Sequence, residues 1–127
     1  MKDQSAKIEW RFITKNQKRL DKAEGLARII LADLHDSSIL AIEKYPKYKN
    51  SYSIRIHTHL PTRDFNTAVL QCLRLSSKIC RGWSVYYDEE ARSFGLLFNK
   101  PDGCRTGKIP YNVITWIFCE INFELIE

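Results

Sequence analysis

The chain has 127 residues, a length that fits a single domain covering residues 1–127. Hydrophobic residues make up 44% of it and charged residues 28%, proportions that are typical of a globular protein and exclude an intrinsically disordered chain. The net charge of +5 favours an anionic partner, such as a nucleic acid, an acidic protein face or a membrane surface.

The sequence predicts a cytoplasmic protein that does not enter a membrane. Residues 1–6 are polar and lack the apolar centre of a signal peptide, and the longest apolar run, residues 113–119, is too short to cross a bilayer. None of the cysteines has the C-x-x-C spacing of a zinc or redox site, so we predict reduced thiols. The cysteines are Cys72, Cys80, Cys104 and Cys119.

The first half of the chain predicts three strands and one helix. Residues 7–14 alternate between apolar and polar side chains, as in a strand that packs on one face. Apolar residues at helical spacing predict a helix over residues 17–36. Residues 38–45 and 51–60 are predicted as two further strands, joined by a lysine-rich turn.

Residues 62–82 carry the clearest amphipathic helix pattern, with Thr62 as the predicted N-cap and Gly82 just beyond the end. A long apolar stripe on one side of this helix needs an apolar surface to pack against, and the neighbouring strands provide one. Residues 83–88 and 93–99 then predict a hairpin, and residues 112–124 predict the last strand.

The resulting order, β-α-β-β-α-β-β-β, predicts an α+β fold with a ferredoxin-like core. In this fold two helices cover one face of an antiparallel sheet of about six strands. Right-handed connections predict the strand order 6-5-4-1-3-2, numbered along the chain. The second face of the sheet is then left uncovered.

The predicted topology gathers positive charge at one end of the sheet, where we expect an anion-binding site. The predicted residues are Lys15, Lys18, Arg19, Lys44, Lys47 and Lys49. Lys18 and Arg19 are expected in the first turn of a helix, where the helix dipole disfavours a cation. Carboxylates, among them Asp33 and Glu124, are expected at the opposite end. The alternative is that lysines occupy these loops only because loops are solvated.

The uncovered face is predicted to bind a partner protein. An exposed apolar patch with charged residues around it is typical of a protein interface. The predicted partner-binding residues are Tyr86, Leu97, Trp116, Phe118, Arg11, Arg55 and His57. The alternatives are that the last strand folds back over the patch, or that a homodimer covers it.

The sequence predicts no catalytic residue, cofactor or metal site. His57 and His59 share one strand face, but only Glu9 is placed to join them, and a metal ion needs more ligands. The carboxylates of Asp88, Glu89 and Glu90 belong to a hydrated hairpin turn and are not predicted to act as an acid–base pair. We therefore predict that the protein is not an enzyme.

In its size, cytoplasmic character and lack of an active site, the chain resembles the small α/β immunity proteins that bacteria carry against toxins. This resemblance implies a protein-binding module that binds and neutralises a toxin partner. Many such proteins are acidic because they mimic nucleic acid. The positive charge of this chain therefore disfavours a nuclease as the toxin, unless contact is made through the acidic end.

Binding of nucleic acid, RNA in particular, through the lysine-rich end is the alternative function. Residues 43–52 interleave lysines with Tyr45 and Tyr48, a pattern in which a lysine can meet a phosphate while an aromatic ring stacks on a base. The RNA-recognition motif shares the predicted fold but reads RNA with aromatic residues where this chain has Arg11 and Arg55. RNA recognition of that particular kind is therefore not predicted.

Overall fold

The computed structural model describes the backbone of residues 3–105 and 108–126, and the side chains of residues 5–105 and 108–123. The predicted α+β class and the order of helices and strands are confirmed. The strands are β1 (Asp3–Thr14), β2 (Ser37–Lys44), β3 (Tyr52–Leu60), β4 (Ser84–Asp88), β5 (Ser93–Asn99) and β6 (Ile114–Ile126). The helices are α1 (Leu20–Asp33), α2 (Phe65–Ile79) and a short 3₁₀ helix (Ile109–Val113).

These strands form one antiparallel sheet in the order β2-β3-β1-β6-β5-β4. The predicted order 6-5-4-1-3-2 is wrong in its first half, because β6 pairs with β1 and β4 lies at the edge. The pairing of β1 with β6 runs from Asp3 opposite Ile126 to Thr14 opposite Ile114, whereas β4 has only five residues. A long partner satisfies more backbone hydrogen bonds of the central strand β1 than a short one can.

Both helices pack on the same face of the sheet. Every second residue of the central strands points to that face and is buried there, for example Trp10 in β1, Ile56 in β3 and Cys119 in β6. Burying one large apolar side chain stabilises a fold by about 1.5–3 kcal/mol, so this layer holds the helices in place. The helices contribute Ala23, Leu26, Ala27, Ile30, Phe65, Ala68, Cys72 and Ile79 to the same core.

Helix α2 begins later than predicted, because Asp64 and not Thr62 is its N-cap. The Asp64 carboxylate accepts a hydrogen bond from the backbone N–H of Thr67 at 2.9 Å, and the Thr62 hydroxyl accepts one from the N–H of Asp64 at 3.1 Å. A carboxylate at this position satisfies an N–H of the first turn and complements the helix dipole. Gly82 follows the helix with a φ angle of 85°.

Helix α1 also begins later than predicted, at Leu20, so Lys18 and Arg19 precede its first turn. Arg19 occupies the N-cap position, and its guanidinium pairs with the carboxylate of Asp21 at 3.2 Å. The first turn therefore contains an acidic residue, which the helix dipole favours. The expectation that Lys18 and Arg19 lie in the first turn was wrong.

The segment before β6 is attached to α1 through Asp33. The Tyr111 hydroxyl donates a hydrogen bond to Asp33 Oδ2 at 2.6 Å, and Lys108 Nζ donates one to Asp33 Oδ1 at 2.8 Å. Asp33 is thus not part of a separate acidic end, because it forms an ion pair with Lys108. The side chain of Glu124, also expected at that end, lies outside the described residues.

All four cysteines are buried and none forms a disulfide. Within the described ranges, no helix is long and apolar enough to cross a bilayer.

Candidate functional site

The face of the sheet opposite the helices, which we call the open face, carries all seven predicted partner-binding residues. Side chains that face each other across paired strands share one side of a sheet, so the strand register places them in rows. One row contains Leu97, Phe118, Arg11 and Arg55, the next contains Tyr86, Glu120, Glu9 and His57, and a third contains Asn99, Trp116, Ile13 and Ser53.

Three apolar side chains, Leu97, Trp116 and Phe118, form a half-buried patch on the open face. The rings of Trp116 and Phe118 stack with 6.3 Å between their centroids. The patch was expected near an edge formed by the last two strands. It lies near the middle of the sheet, because β6 pairs with β1 and Phe118 faces Arg11.

Two pairs of like charges face each other on the open face. Arg11 lies opposite Arg55 across β1 and β3, and Glu9 lies opposite Glu120 across β1 and β6. Like charges directly opposite each other destabilise a sheet. Glu9 pairs with Lys7 at 3.4 Å, but neither arginine forms an ion pair within the described part of the chain.

A cleft of about 650 Å³ opens at the end of the open face where β1 ends. We call it the basic cleft. Strands β1 and β6 form its floor, and its walls are the turn between β2 and β3 and the segment after β5. Its lining residues are Arg11, Ile13, Lys15, Tyr45, Lys47, Tyr48, Lys49, Ser51, Asn99, Pro101, Thr115 and Trp116.

Contacts within the protein hold the walls and floor of the basic cleft in place. Lys15 Nζ, at the end of β1, donates a hydrogen bond to the carbonyl of Pro101 at 3.0 Å, which joins the floor to one wall. The Arg11 guanidinium lies over the Tyr45 ring at 5.9 Å, and its Nε donates a hydrogen bond to the Ser53 hydroxyl at 3.1 Å. In the second wall, the Tyr45 and Tyr48 rings lie 5.8 Å apart.

The structure divides the predicted anion-binding residues into two groups. Lys15, Lys47 and Lys49 line the basic cleft. Lys44 lies opposite Tyr52, whose side chain is buried on the helix side of the sheet, so Lys44 points away from the cleft. Lys18 and Arg19 do not line the cleft either, and Arg19 is paired with Asp21.

The cleft also joins residues that the sequence assigned to separate sites. Arg11 and Trp116 were predicted for protein binding, but they lie beside the lysines of the turn after β2. Asn99 and Pro101 form part of a wall and were missed. No local pattern marks these two residues, because only the pairing of β5 with β6 brings them to this end of the open face.

The two histidines of β3 lie opposite residues of opposite charge. His57 lies opposite Glu9, but His59 lies opposite Lys7, whose positive charge disfavours a bound cation nearby. In the part of the chain that the structure describes, no group of three His, Cys, Asp or Glu side chains is placed to hold a metal ion.

No protein-family model matches this chain, and no curated protein matches it. The inference of function therefore depends on the geometry and charge of the open face and the basic cleft.

Proposed function

We propose that this chain is a non-enzymatic protein-binding module that captures a partner protein through the open face of its sheet. The observation that carries the proposal is the patch of Leu97, Trp116 and Phe118 near the centre of a face otherwise rich in charged side chains. Aromatic residues near the centre of a surface, surrounded by polar groups, are the usual energetic centre of an interface.

The size of the open face suits a partner protein. With about 4.8 Å between strands and about 3.3 Å per residue, six strands of seven or so residues span about 24 Å by 23 Å. The resulting area of about 550 Å², without the relief of the side chains, approaches the roughly 800 Å² that one partner contributes to a standard interface.

The charged residues around the patch indicate which charged groups a partner surface would carry. Arg11 and Arg55 suit carboxylates on the partner, and Glu9 and Glu120 suit cations. A surface with both signs side by side fits a folded protein better than a uniformly charged polymer. Each exposed ion pair adds only about 0.2–1 kcal/mol, so these charges contribute orientation while the apolar patch contributes most of the affinity.

A toxin domain is the partner that the resemblance to immunity proteins suggests. In this proposal the protein neutralises the toxin by covering part of its surface, and no chemical step is required.

The test is affinity capture with the wild-type protein and matched variants. Trp116→Ala and Phe118→Asp are expected to lose the captured partner. Leu70→Asp is the control, because Leu70 is a 65% exposed apolar residue of α2, on the helix side of the sheet. Thermal melts confirm that each variant is folded. Retention of the same partner by both open-face variants would refute the proposal.

A second measurement addresses the toxin. The captured partner is expressed alone and together with the wild-type protein or with Phe118→Asp. We expect the wild type to restore growth and Phe118→Asp to fail. A captured partner that does not affect growth when expressed alone would contradict the toxin-neutralising role and leave the protein-binding function in place.

A further inference from the structure

The basic cleft has a different composition from the rest of the open face. Its charged lining residues are Arg11, Lys15, Lys47 and Lys49, and none of the described residues that line it is a carboxylate. Three aromatic side chains also line the cleft: Tyr45 and Tyr48 on one wall, and Trp116 on the floor. Cations and aromatic rings in one concavity indicate a ligand that is both anionic and planar.

We infer that the basic cleft binds a nucleoside phosphate, either as a free nucleotide or as one unit of a single-stranded nucleic acid. This inference goes beyond the proposed protein-binding function and assigns a second ligand class to one end of the open face, where Arg11 and Trp116 belong to both the protein-binding surface and the cleft. Its chemistry is shared by both sources of the ligand, and the experiment below separates them.

No carboxylate that the structure describes neutralises the cations of the cleft. Within the described part of the chain, no carboxylate forms an ion pair with Arg11, Lys15, Lys47 or Lys49. Glu43 lies opposite Ser53, at the outer end of the row that contains Trp116 and Ile13. It does not line the cleft. Uncompensated cations in a concave site attract phosphate more strongly than they would on a flat surface.

Contacts within the protein orient the Arg11 side chain and leave nitrogen donors available for a phosphate. Its Nε atom is committed to the Ser53 hydroxyl at 3.1 Å, and its guanidinium plane is supported by the Tyr45 ring. The two terminal nitrogens make no hydrogen bond to a described residue, and they can donate to two phosphate oxygens. Lys15 uses one N–H on the Pro101 carbonyl and keeps two N–H donors, because an ammonium carries three.

The aromatic side chains distinguish a nucleotide from an acidic peptide. Tyr48 is 58% exposed, so part of its ring is accessible to a base. A planar ring stacks on a base of any sequence, whereas the aliphatic side chains of aspartate and glutamate make no use of such a surface. The volume of about 650 Å³ lies within the range of small-ligand sites and accommodates one nucleoside monophosphate.

The experiment measures binding of a fluorescein-labelled oligouridylate of about 12 nucleotides by fluorescence anisotropy. Lys47→Glu combined with Lys49→Glu is expected to weaken binding by at least about tenfold, and Tyr48→Leu by about tenfold. The control is Lys18→Glu combined with Lys44→Glu, which changes the net charge equally at the same end but outside the cleft. We expect that control to weaken binding less than about threefold.

Unlabelled competitors identify the ligand. Displacement of the oligouridylate by adenosine monophosphate supports the inference and shows that a free nucleotide suffices. Binding of the strand without such displacement supports the inference with a nucleic-acid strand as the source. Adenosine monophosphate is expected to compete better than inorganic phosphate in the first case, because only the nucleotide carries a base.

Four results would overturn the inference. The first is no binding of either nucleotide probe at about 0.1 mM, and the second is an equal loss of binding in the control and cleft variants. The third is displacement of the strand by inorganic phosphate that is as effective as displacement by adenosine monophosphate. The fourth is displacement by hexaglutamate that is as effective as displacement by the unlabelled strand. The last result would reassign the cleft to an acidic peptide. The protein-binding proposal is tested separately by Phe118→Asp, because Phe118 and Leu97 lie outside the cleft, whereas Trp116 lines it.

Discussion

Removing the hydroxyl of Tyr111 is expected to destabilise the protein by about 1.5–3 kcal/mol, the usual value of a hydrogen bond to a charged group. The Tyr111 side chain is fully buried, and its hydroxyl donates to the Asp33 carboxylate at 2.6 Å. Asp33 itself is only 16% exposed, so water replaces the lost donor poorly. The ion pair with Lys108 contributes less, because the Lys108 side chain is 53% exposed and its charge is screened.

This hydrogen bond attaches the 3₁₀ helix to α1. It thereby also positions the segment that precedes β6. For a domain of this length, a loss of 1 kcal/mol lowers the melting temperature by about 3–5 °C. Tyr111→Phe is therefore expected to lower it by about 5–15 °C. Tyr48→Phe is the control, because the Tyr48 ring is exposed, and we expect no measurable change.

The effect of Tyr111→Phe is expected to depend on pH through Asp33. Partial burial by itself raises the pKa of Asp33, but hydrogen bonds from Lys108 and Tyr111, with the charges of Lys108 and Lys78, lower it below the usual 3.8. A carboxyl whose pKa is lower in the folded state stabilises the fold above the unfolded-state pKa. That stabilisation is lost as the pH falls through the folded-state pKa, so the difference between wild type and variant shrinks below about pH 4.

The stabilisation that Tyr111 contributes is expected to fall at high pH, whereas that of Asp33 falls at low pH. Burial, and then the hydrogen bond and charge of Asp33, raise the pKa of the Tyr111 hydroxyl well above its usual 10.0. The hydroxyl stays protonated in the folded protein while the unfolded chain ionises near pH 10, so the stabilisation is lost as the pH rises further.

A double-mutant cycle with Tyr111→Phe and Asp33→Asn measures the interaction directly. Urea unfolding at pH 7 is expected to show a coupling free energy of about 1 kcal/mol or more, and at pH 3 a smaller one. Additivity within about 0.3–0.5 kcal/mol at pH 7 would refute the assignment of this contact. A difference between wild type and Tyr111→Phe that stays constant from pH 7 to pH 3 would refute the role of the Asp33 charge.

Two further substitutions test other parts of the fold. Gly103 has a φ angle of 88°, and an added Cβ would lie 1.8 Å from the carbonyl oxygen of Asn112, so Gly103→Ala is expected to cost at least about 3 kcal/mol in urea unfolding. Gly25→Ala in α1 is its control: an added Cβ there meets nothing within 4 Å, and we expect a gain of about 0.5–1 kcal/mol. Thr58→Val removes the acceptor that lies 2.9 Å from the buried Trp10 Nε1 and is expected to cost about 1–3 kcal/mol, so an unchanged urea midpoint would contradict this role.

The sequence alone was sufficient for the fold class and for the residues of each sheet face. Alternation in residues 7–14 and 51–60 and helical spacing in residues 62–82 are local patterns with periods of 2.0 and 3.6, and they do not depend on which strands become neighbours. For this reason Phe118 and Trp116 were placed on the uncovered face although the predicted strand order was wrong in its first half.

The tertiary structure decided which residues meet. Strand order depends on long-range pairing, and insertion of β6 between β1 and β5 brings Phe118 beside Arg11 and Trp116 into the basic cleft. The contact of Lys108 with Asp33 joins residues 75 positions apart, so no pattern along the chain could indicate it. Local periodicity determines the direction of a side chain, but only the folded chain determines its neighbours, because each strand can pair with several others at similar local cost.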